Sequence, residues 1–372
     1  MKIVADAHIP YIKNYFSPCG ELILKPGRDM TNADVKDADI LIVRSVVKVD
    51  EKLLANSRVK FVGTVTAGAD HLDTDYLDSA GILYTTAHGF NSPPVADYVV
   101  SVLAALDDHN KISVKKRQRA AVIGVGKVGS LVVERLRALN FDVILCDPVR
   151  AQSDDQFHST LIDDIADMDL ITLHTPLTHT GSHPTFHLID KTFLQRQKPG
   201  CVLINASRGA VINSEDLKKH GTHLSWCLDV FENEPWIDRE ILKSAFIATP
   251  HLAGYSVQSK IRGTAMIYRI ACEKGVIKPH AVMQREMPNQ QLTFADRPQR
   301  WQNIVLGVFN PLLMTSMMRA TLMNTEEYGI YFDEMRHQFN YRHEFAFTEI
   351  VDTKIGDTDK ALLEKFGMTI QP

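Results

Sequence analysis

The sequence predicts an α/β protein in which helices cover parallel β-sheets. Apolar runs of strand length alternate with helical stretches from residue 2 to about residue 250, a pattern typical of successive βαβ units. One strand-to-helix junction is the glycine-rich turn Gly124-Val125-Gly126-Lys127-Val128-Gly129. A length of 372 residues indicates two or three domains, large enough to bury a core without disulfides.

The first hundred residues are predicted to form an α/β domain of their own. Helices are expected at 50–55 and 73–79, and the Pro93-Pro94 pair is expected to open a helix that runs to Leu106. The predicted strands are 2–4, 40–43, 61–64 and 82–84. The basic run at 111–119 has no interleaved aromatic residues, so we interpret it as a solvated linker rather than a nucleic-acid surface.

The glycine-rich turn has the context that a dinucleotide site needs. It follows the apolar strand 120–123 and opens a helix predicted over 128–139. In such a turn the first glycine allows the tight bend, the second lets a pyrophosphate approach the backbone, and the third lets the helix pack on the strand. The start of the helix then faces the phosphates. An α/β turn without a nucleotide is the alternative interpretation.

Asp147 is the predicted contact for the adenosine ribose. It follows the strand 142–146 and lies 18 residues past Gly129, close to the usual offset of about 20 residues. A phosphate on the ribose 2′ oxygen, about 4 Å away, would be repelled by about 4 kcal/mol per unit charge at an effective dielectric constant near 20. The sequence therefore favours NAD over NADP, although Arg150 is near enough to weaken this preference.

Polar residues follow the strands of this region closely. Further strands are predicted at 170–173, 201–204, 224–228 and 246–249. Because an open parallel sheet binds its ligand at the carboxyl ends of the strands, the polar residues that follow them are expected to converge on one crevice. These residues are Asp147, Thr175, Arg208, Asp229 and His251.

Three residues in the second half of this region suit hydride transfer from a 2-hydroxy acid. Arg208 would grip the carboxylate through two parallel bonds, and His251 would take the hydroxyl proton, because imidazole titrates near the operating pH. Glu234 would orient the imidazole and stabilise its charged form. A structural arginine and a structural histidine are the alternatives for Arg208 and His251.

The composition argues against several other classes of function. The net charge of −4 and the pI near 6.4 give no general attraction to nucleic acid or to anionic membranes. The five cysteines form no C-x-x-C pair and are expected to be reduced core thiols. The sequence has no 18-residue apolar span and no signal-peptide pattern, so we expect a cytoplasmic protein.

A metal site is not expected, although histidines cluster between residues 174 and 187. Gly181 and Pro184 break any helix that would align two of these histidines on one face, and no thiol or carboxylate partners cluster with them. Hydride transfer to a nicotinamide with proton transfer to His251 needs no metal. The histidines are His174, His179, His183 and His187.

Three motifs together resemble the D-2-hydroxyacid dehydrogenase family. They are Asn205-Ala206-Ser207-Arg208-Gly209, Leu228-Asp229-Val230-Phe231 followed by Glu234-Pro235, and Thr249-Pro250-His251. The resemblance implies a Rossmann-type NAD domain at 99–255, inserted in a flavodoxin-like substrate domain at 1–98 that 256–285 completes. It also implies a small C-terminal α+β dimerisation domain at 286–372, and hence a homodimer.

Further segments resemble one branch of that family, whose substrate is a phosphorylated four-carbon hydroxy acid. The segments are 43–49, 61–71, 250–256 and the C-terminal motifs Phe332-Asp333-x-x-Arg336 and Tyr341-Arg342-x-Glu344-Phe345. The substrate contacts that the resemblance implies are Ser45, Thr66 and Tyr255. The implied NAD contacts are Gly124, Gly126, Lys127, Val128, Gly129, Asp147, Thr175, Ala206, Ser207, Arg208, Asp229 and Gly254.

Other functions and roles fit the same residues. Arg44 and Arg342 are candidates for further phosphate contacts or for surface salt bridges. The activity of a phosphoglycerate or hydroxypyruvate dehydrogenase, as in other members of the family, is an alternative. An NAD-sensing corepressor is an alternative of another class, since one fold serves many functions.

Overall fold

The structure is a computed structural model that describes residues 1–281, 287–294, 297–339, 341–351 and 353–371. The chain forms two compact units. The first comprises Met1–Asn91 and Val257–Pro288, and the second comprises Ser92–Ser256 and Asn289–Pro372. The first unit is therefore discontinuous in sequence. The α/β class with parallel sheets, predicted from the alternation of strands and helices, is confirmed.

The first unit is built on a five-stranded parallel sheet. Its strands are β1 (Lys2–Asp6), β2 (Glu21–Lys25), β3 (Ile40–Val43), β4 (Phe61–Thr64) and β5 (Leu83–Thr86), in the order β2-β1-β3-β4-β5. The helices are Ile12–Phe16, Asn32–Val35, Glu51–Leu54, Thr74–Ser79 and Val257–Glu273. Strand β2 was not predicted, because it is a partly exposed edge strand with charged residues at both ends.

The second unit is built on a six-stranded parallel sheet, and all six strands were predicted. They are β6 (Arg119–Ile123), β7 (Asp142–Cys146), β8 (Leu170–Leu173), β9 (Val202–Asn205), β10 (Ser225–Leu228) and β11 (Ile247–Ala248), in the order β11-β10-β9-β8-β6-β7. The helices up to residue 256 are Ser92–Asp108, Lys127–Ala138, Pro148–Ser153, Lys191–Gln195, Ser214–His220 and Arg239–Ser244. The carboxyl ends of β9, β10 and β11 therefore share one edge.

In the residues that the structure describes, the C-terminal part of the second unit has four helices and a small parallel sheet. The strands are β12 (Gln290–Leu292), β13 (Thr348–Ile350) and β14 (Thr369–Ile370), in that order. The helices are Trp301–Val308, Pro311–Leu322, Tyr328–Gln338 and Asp357–Lys365. The helix Trp301–Val308 packs on Ser92–Asp108, so this part shares a core with the six-stranded sheet.

Two predictions for the C-terminal part need correction. The helical stretch expected at 304–313 is two helices, because Pro311 removes a backbone donor and Asn310 caps the second helix by accepting a hydrogen bond from Leu312. The strand expected at 345–351 is shorter, since a 3₁₀ turn at Phe345–Phe347 precedes β13. Among the described residues, no single helix has the length and apolarity to cross a membrane; one bent pair, Trp301–Val308 with Pro311–Leu322, meets that test jointly.

Candidate active site

The glycine-rich turn joins β6 to the helix Lys127–Ala138 and requires glycine at Gly124 and Gly129 for steric reasons. Gly124 has φ +87°, and a Cβ there would lie 2.7 Å from the backbone N of Thr175. A Cβ on Gly129 would lie 2.0 Å from the carbonyl oxygen of Gly124, whereas one on Gly126 would meet open space. Gly126 is the N-cap and supplies no side-chain cap, which suits a helix start that binds an anion through its backbone N–H groups.

The carboxylate of Asp147 is tied to the glycine-rich turn. One oxygen accepts a hydrogen bond from Val125 N at 2.8 Å, and the other accepts from Arg150 N at 2.9 Å. The Arg150 guanidinium donates to the Val125 carbonyl at 3.0 Å and pairs with Asp154 at 3.2 Å, over the ring of Phe157. Arg150 is thus paired with Asp154, which reduces its ability to offset the charge of Asp147.

Thr175 and His174 follow β8 beside the glycine-rich turn. The Thr175 hydroxyl is buried and has no hydrogen-bond partner among the residues that the structure describes, so a bound dinucleotide would satisfy an otherwise costly polar group. His174 contacts the Thr172 hydroxyl at 2.9 Å, and burial lowers the pKa of His174 to about 3. The imidazole is therefore neutral. This side of the site fits a dinucleotide.

The loop after β9 is shaped by Asn205. Its side-chain oxygen accepts hydrogen bonds from Ser207 N at 3.1 Å and Ser207 Oγ at 2.8 Å, and its amide donates to the Arg208 carbonyl at 2.9 Å. A Cβ on Gly209 would lie 2.0 Å from the carbonyl oxygen of Phe231. Close contact with the loop after β10 thus requires glycine here, and the two loops position Arg208 together.

Asp229 is the organiser of the loop that carries His251. Its carboxylate is buried and accepts hydrogen bonds from Thr249 Oγ1 at 2.6 Å, Leu252 N at 2.7 Å and Ala253 N at 2.9 Å. Its carbonyl accepts from His251 N at 2.7 Å. Burial is the largest influence on this carboxyl and raises the pKa of Asp229. These bonds hold His251 at φ +57°, a conformation that costs about 1–3 kcal/mol in a non-glycine residue.

Glu234 and His251 form a directly hydrogen-bonded pair. Glu234 Oε2 lies 2.8 Å from His251 Nδ1. Burial alone would raise the pKa of Glu234, but the neighbouring His251 and Arg336 outweigh it and lower the pKa below its usual value. The carboxylate is therefore ionised, and Nε2 of His251 is the ring nitrogen left for proton transfer.

Three strand ends thus bring the predicted catalytic residues to one edge of the second unit's sheet. Arg208 follows β9, Glu234 lies in the loop after β10, and His251 follows β11. Thr175 and Asp147 follow β8 and β7 at the same edge. The edge combines a guanidinium, a paired imidazole and a carboxylate with a helix start suited to phosphates, an arrangement suited to hydride transfer from a hydroxy acid.

Comparisons with known proteins agree with this chemistry. Residues 103–253 match the family model of the D-isomer specific 2-hydroxyacid dehydrogenase, NAD binding domain. An erythronate-4-phosphate dehydrogenase of Coxiella burnetii (strain RSA 331) is 40% identical over 356 residues, which are 95% of this chain and 96% of the relative. The chain belongs to the erythronate-4-phosphate dehydrogenase family. The predicted D-2-hydroxyacid dehydrogenase resemblance is confirmed.

Other relatives extend the comparison. The Azotobacter vinelandii erythronate-4-phosphate dehydrogenase is 43% identical over 291 residues, 77% of this chain and 76% of that protein. A solved D-lactate dehydrogenase from Aquifex aeolicus, complexed with NAD and lactic acid, is 25% identical with a TM-score of 0.61, and covers 74% of this chain and 96% of its own. About a quarter of this erythronate-4-phosphate dehydrogenase family member therefore has no counterpart in that structure.

The residues predicted to bind the substrate divide between the two units. Ser45 and Thr66 lie in the first unit, past β3 and β4, where Thr66 Oγ1 donates to the Gly68 carbonyl at 2.7 Å. Tyr255 lies in the second unit, with the NAD-assigned Gly254. The role of each of these residues stays a prediction.

Two arginines left open by the sequence have defined partners. Arg44 pairs with the buried carboxylate of Asp6 at 2.7 Å. Arg342 is almost completely buried and donates to the backbone carbonyls of Ala253 and Pro94. Arg342 is therefore neither a surface salt bridge nor an exposed phosphate contact.

Sequence reasoning missed the C-terminal side chains that reach the active site of this family member. Arg336 donates to the Tyr255 hydroxyl at 3.3 Å, and the Ser256 hydroxyl donates to Glu344 at 2.7 Å. The sequence motifs that contain Arg336 and Glu344 support only the resemblance to one branch of the family and assign neither residue a role in the site. These contacts join residues about 80 or more positions apart in the chain, so no local pattern reveals them.

The clustered histidines take separate partners. His187 contacts Glu232 at 2.9 Å and Asn213 at 3.2 Å, while His183 contacts Gln152 at 3.2 Å. The ring of His179 lies 4.6 Å from that of Phe186. Within the described part of the chain, no group of three or more histidine, cysteine or acidic side chains is placed to hold a metal ion.

Proposed function

We propose that this chain catalyses the NAD-dependent oxidation of 4-phospho-D-erythronate to (R)-3-hydroxy-2-oxo-4-phosphooxybutanoate, a step in pyridoxal 5′-phosphate (vitamin B6) biosynthesis. The observation that carries the proposal is the Glu234–His251 pair at 2.8 Å, at the sheet edge that also bears Arg208. The proposed substrate rests on relatives that are named for this activity and align with 95% of the chain.

The proton and the substrate carboxylate are handled by residues of this chain. Arg208 binds the carboxylate through two parallel hydrogen bonds and so fixes the orientation of C2. His251 Nε2 removes the proton of the C2 hydroxyl as the C–H bond breaks, and the ionised Glu234 stabilises the imidazolium that forms. When bound, NAD would supply the acceptor for the hydride that leaves C2. In the reverse direction His251 returns the proton as a general acid.

NAD is the cofactor, and the residues around the glycine-rich turn would hold it. The first-turn backbone N–H groups of the helix Lys127–Ala138 suit the pyrophosphate, and Asp147 suits the ribose hydroxyls. Thr175 offers its buried, unsatisfied hydroxyl. The other NAD contacts that we propose are Val128, Ala206, Ser207, Arg208, Asp229 and Gly254.

The substrate contacts and the surroundings of the enzyme complete the proposal. Ser45, Thr66 and Tyr255 are proposed to bind the phosphorylated hydroxy acid, on the strength of the family resemblance. The chain is proposed to act in the cytoplasm, which suits its five free cysteines.

A substrate panel tests the activity directly. Purified protein with NAD and a 2-oxoacid that reoxidises the cofactor is given 4-phospho-D-erythronate or 3-phosphoglycerate, and the reduction of hydroxypyruvate by NADH is followed separately. We expect turnover to be highest with the four-carbon phosphate ester, with the 2-oxo product identified by mass spectrometry. Preference for another acid would assign the chain to a sibling activity. Binding of NAD and of partner proteins without turnover would favour the corepressor alternative.

We also propose that the chain forms a homodimer through its C-terminal helices. Large apolar side chains stand exposed on this part of the second unit, where a second copy of the chain would cover them. The exposed side chains are Leu313 (64%), Met317 (55%), Ile330 (54%), Tyr331 (39%) and Tyr341 (60%). Light scattering should give a dimer for the wild type and a monomer for Met317→Glu; a monomeric wild type contradicts the proposal.

A further inference from the structure

Three side chains of the C-terminal part contact the loop that carries His251, residues 251–256, here called the His251 loop. Arg336 donates to the Tyr255 hydroxyl at 3.3 Å. Arg342 donates to the Ala253 carbonyl at 3.2 Å. The Ser256 hydroxyl donates to Glu344 at 2.7 Å. The second half of the His251 loop is thus held from the C-terminal part at three successive points.

Arg336 also acts on the catalytic pair itself. Its side chain is 16% exposed and forms an ion pair with Asp333 at 3.6 Å on the same helix. Burial opposes the charge of this guanidinium, but Tyr255, Glu234 and Asp333 outweigh it and raise the pKa of Arg336. The cation is therefore permanent, and it is one of the two charged groups that lower the pKa of Glu234, the other being His251.

The segment that bears Arg342 and Glu344 is rigidly anchored. Arg342, Glu344 and Asp97 are each about 1% exposed. Asp97, on the helix Ser92–Asp108, accepts a hydrogen bond from Phe345 N at 2.8 Å, and the Arg342 guanidinium lies 4.8 Å from the ring centre of Phe309. Side chains in a closely packed interior have little room to move, so their contacts keep the groups they touch in place. The His251 loop is therefore attached to a firm support.

The C-terminal residues that make these contacts lie beyond the part of the chain that the NAD-binding family model matches, which ends at residue 253. The solved D-lactate dehydrogenase of Aquifex aeolicus covers only 74% of the chain. Arg336, Arg342 and Glu344 therefore lie outside the matched NAD-binding domain.

We propose that the C-terminal part is a component of the catalytic site, in which Arg336 is a positioning residue that holds Tyr255 and, through it, the His251 loop. Arg342 and Glu344 fix the remainder of the His251 loop. This inference rests on the proposed function, because it assigns proton transfer to His251. It gives the C-terminal part a role within each chain that is separate from dimerisation.

Substitutions of Arg336 test the proposal in the full-length enzyme. Arg336→Ala is expected to lower kcat at least tenfold while KM for the hydroxy acid changes less than kcat. Arg336→Lys keeps the charge but loses the planar fork, so it should recover part of kcat, whereas Arg336→Gln should not. Glu334→Gln removes an exposed charge from the same helix and is the matched control, expected to stay within twofold of the wild type.

Stability and cofactor binding are measured on the same variants. NADH affinity, followed by fluorescence, should stay within about threefold, and Tm should fall by only a few degrees. Ser256→Ala removes the Glu344 contact from the loop side, avoids truncating the buried arginine, and is expected to lower kcat severalfold.

Several outcomes would overturn the proposal. One is an Arg336→Ala variant whose kcat and KM are within twofold of the wild type. Another is a loss of kcat that parallels equal losses of NADH affinity and Tm, or that Arg336→Lys does not relieve, since that is the behaviour of a purely structural residue. His251→Asn is assayed beside these variants. If it retains turnover, the assigned proton-transfer role fails, which is distinguishable from failure at Arg336.

Discussion

Glu234 Oε2 lies 2.8 Å from Nδ1 of His251, and the neighbouring charges keep that carboxylate ionised. Because positioned acid–base groups contribute about 10²–10⁴-fold to rate, His251→Asn should lower kcat by at least about a hundredfold while NADH binding persists. Steady-state kinetics and NADH fluorescence measure the two effects. An active His251→Asn variant would show that another group takes the proton.

The charge of Glu234 can be separated from its hydrogen bond. Glu234→Gln keeps a group that can contact the ring but no longer stabilises the imidazolium, so kcat should fall, though less than for His251→Asn. Comparison of the two variants under one set of conditions is the measurement. Equal rates for Glu234→Gln and the wild type would remove Glu234 from the mechanism.

Arg208 is expected to act on binding and orientation together. Arg208→Lys retains a positive charge but loses the planar fork that matches a carboxylate. KM for the hydroxy acid should rise and kcat should fall, each by about tenfold or more. Unaltered kinetic constants would mean that the substrate carboxylate binds elsewhere.

Gly209 is predicted to tolerate no side chain. A Cβ there would lie 2.0 Å from the Phe231 carbonyl oxygen, so Gly209→Ala must separate the loop of Arg208 from the loop of Glu234. We expect a stability loss of about 1–3 kcal/mol and a fall in kcat/KM. Gly356→Ala is the control, because its Cβ would meet nothing within 4 Å. Denaturant titration and kinetics should distinguish the two variants clearly.

Cofactor preference should depend on Asp147. Asp147→Ser removes the charge that repels a 2′-phosphate but keeps an acceptor for Val125 N–H. The ratio of kcat/KM for NADP to that for NAD should rise at least tenfold. Adding Asp154→Asn, which releases Arg150 from its ion pair, should raise the ratio further. An unchanged ratio in the double variant would count against this account of selectivity.

Asp97 should make stability depend on pH in an unusual direction. Burial is the main cause that raises the pKa of Asp97 to about 6. The unfolded chain releases this proton near pH 4, so between about pH 4 and 6 the folded state binds more protons and stability falls as pH rises. Relative to Asp97→Asn, the wild type should lose on the order of 3 kcal/mol across that window. Parallel pH profiles of unfolding free energy would refute this.

Sequence patterns predicted which segments form strands and helices better than they predicted where each element begins and ends. Strands β3, β4 and β8 have the predicted bounds because each is a continuous run of buried residues. Strand β2 pairs on one side only and carries a weak apolar signal. The helical periodicity across 304–313 hid the break at Pro311, since apolar spacing continues through it.

The catalytic edge was predictable because the residues that follow parallel strands lie at the same edge of the sheet. Arg208 and His251 each follow a predicted strand, so both could be assigned to one crevice. The hydrogen bonds that Asp229 and Ser207 make within their loops were not predictable, because they depend on the loop conformation. The contacts of Arg336, Arg342 and Glu344 depend on how distant segments pack. The periodicity of apolar residues in the sequence does not predict which distant segments pack together.

The position of the helix Val257–Glu273 in the sequence affects how the first unit folds during translation. It supplies Ile267 and Tyr268 to the core that also contains Ile42 and Phe61 of the first sheet. A ribosome makes this helix only after every strand of the six-stranded sheet has been translated. Part of one apolar face of the amino-terminal sheet therefore stays uncovered while about half of the chain is translated, and exposed apolar surface of this kind makes a nascent chain prone to aggregation.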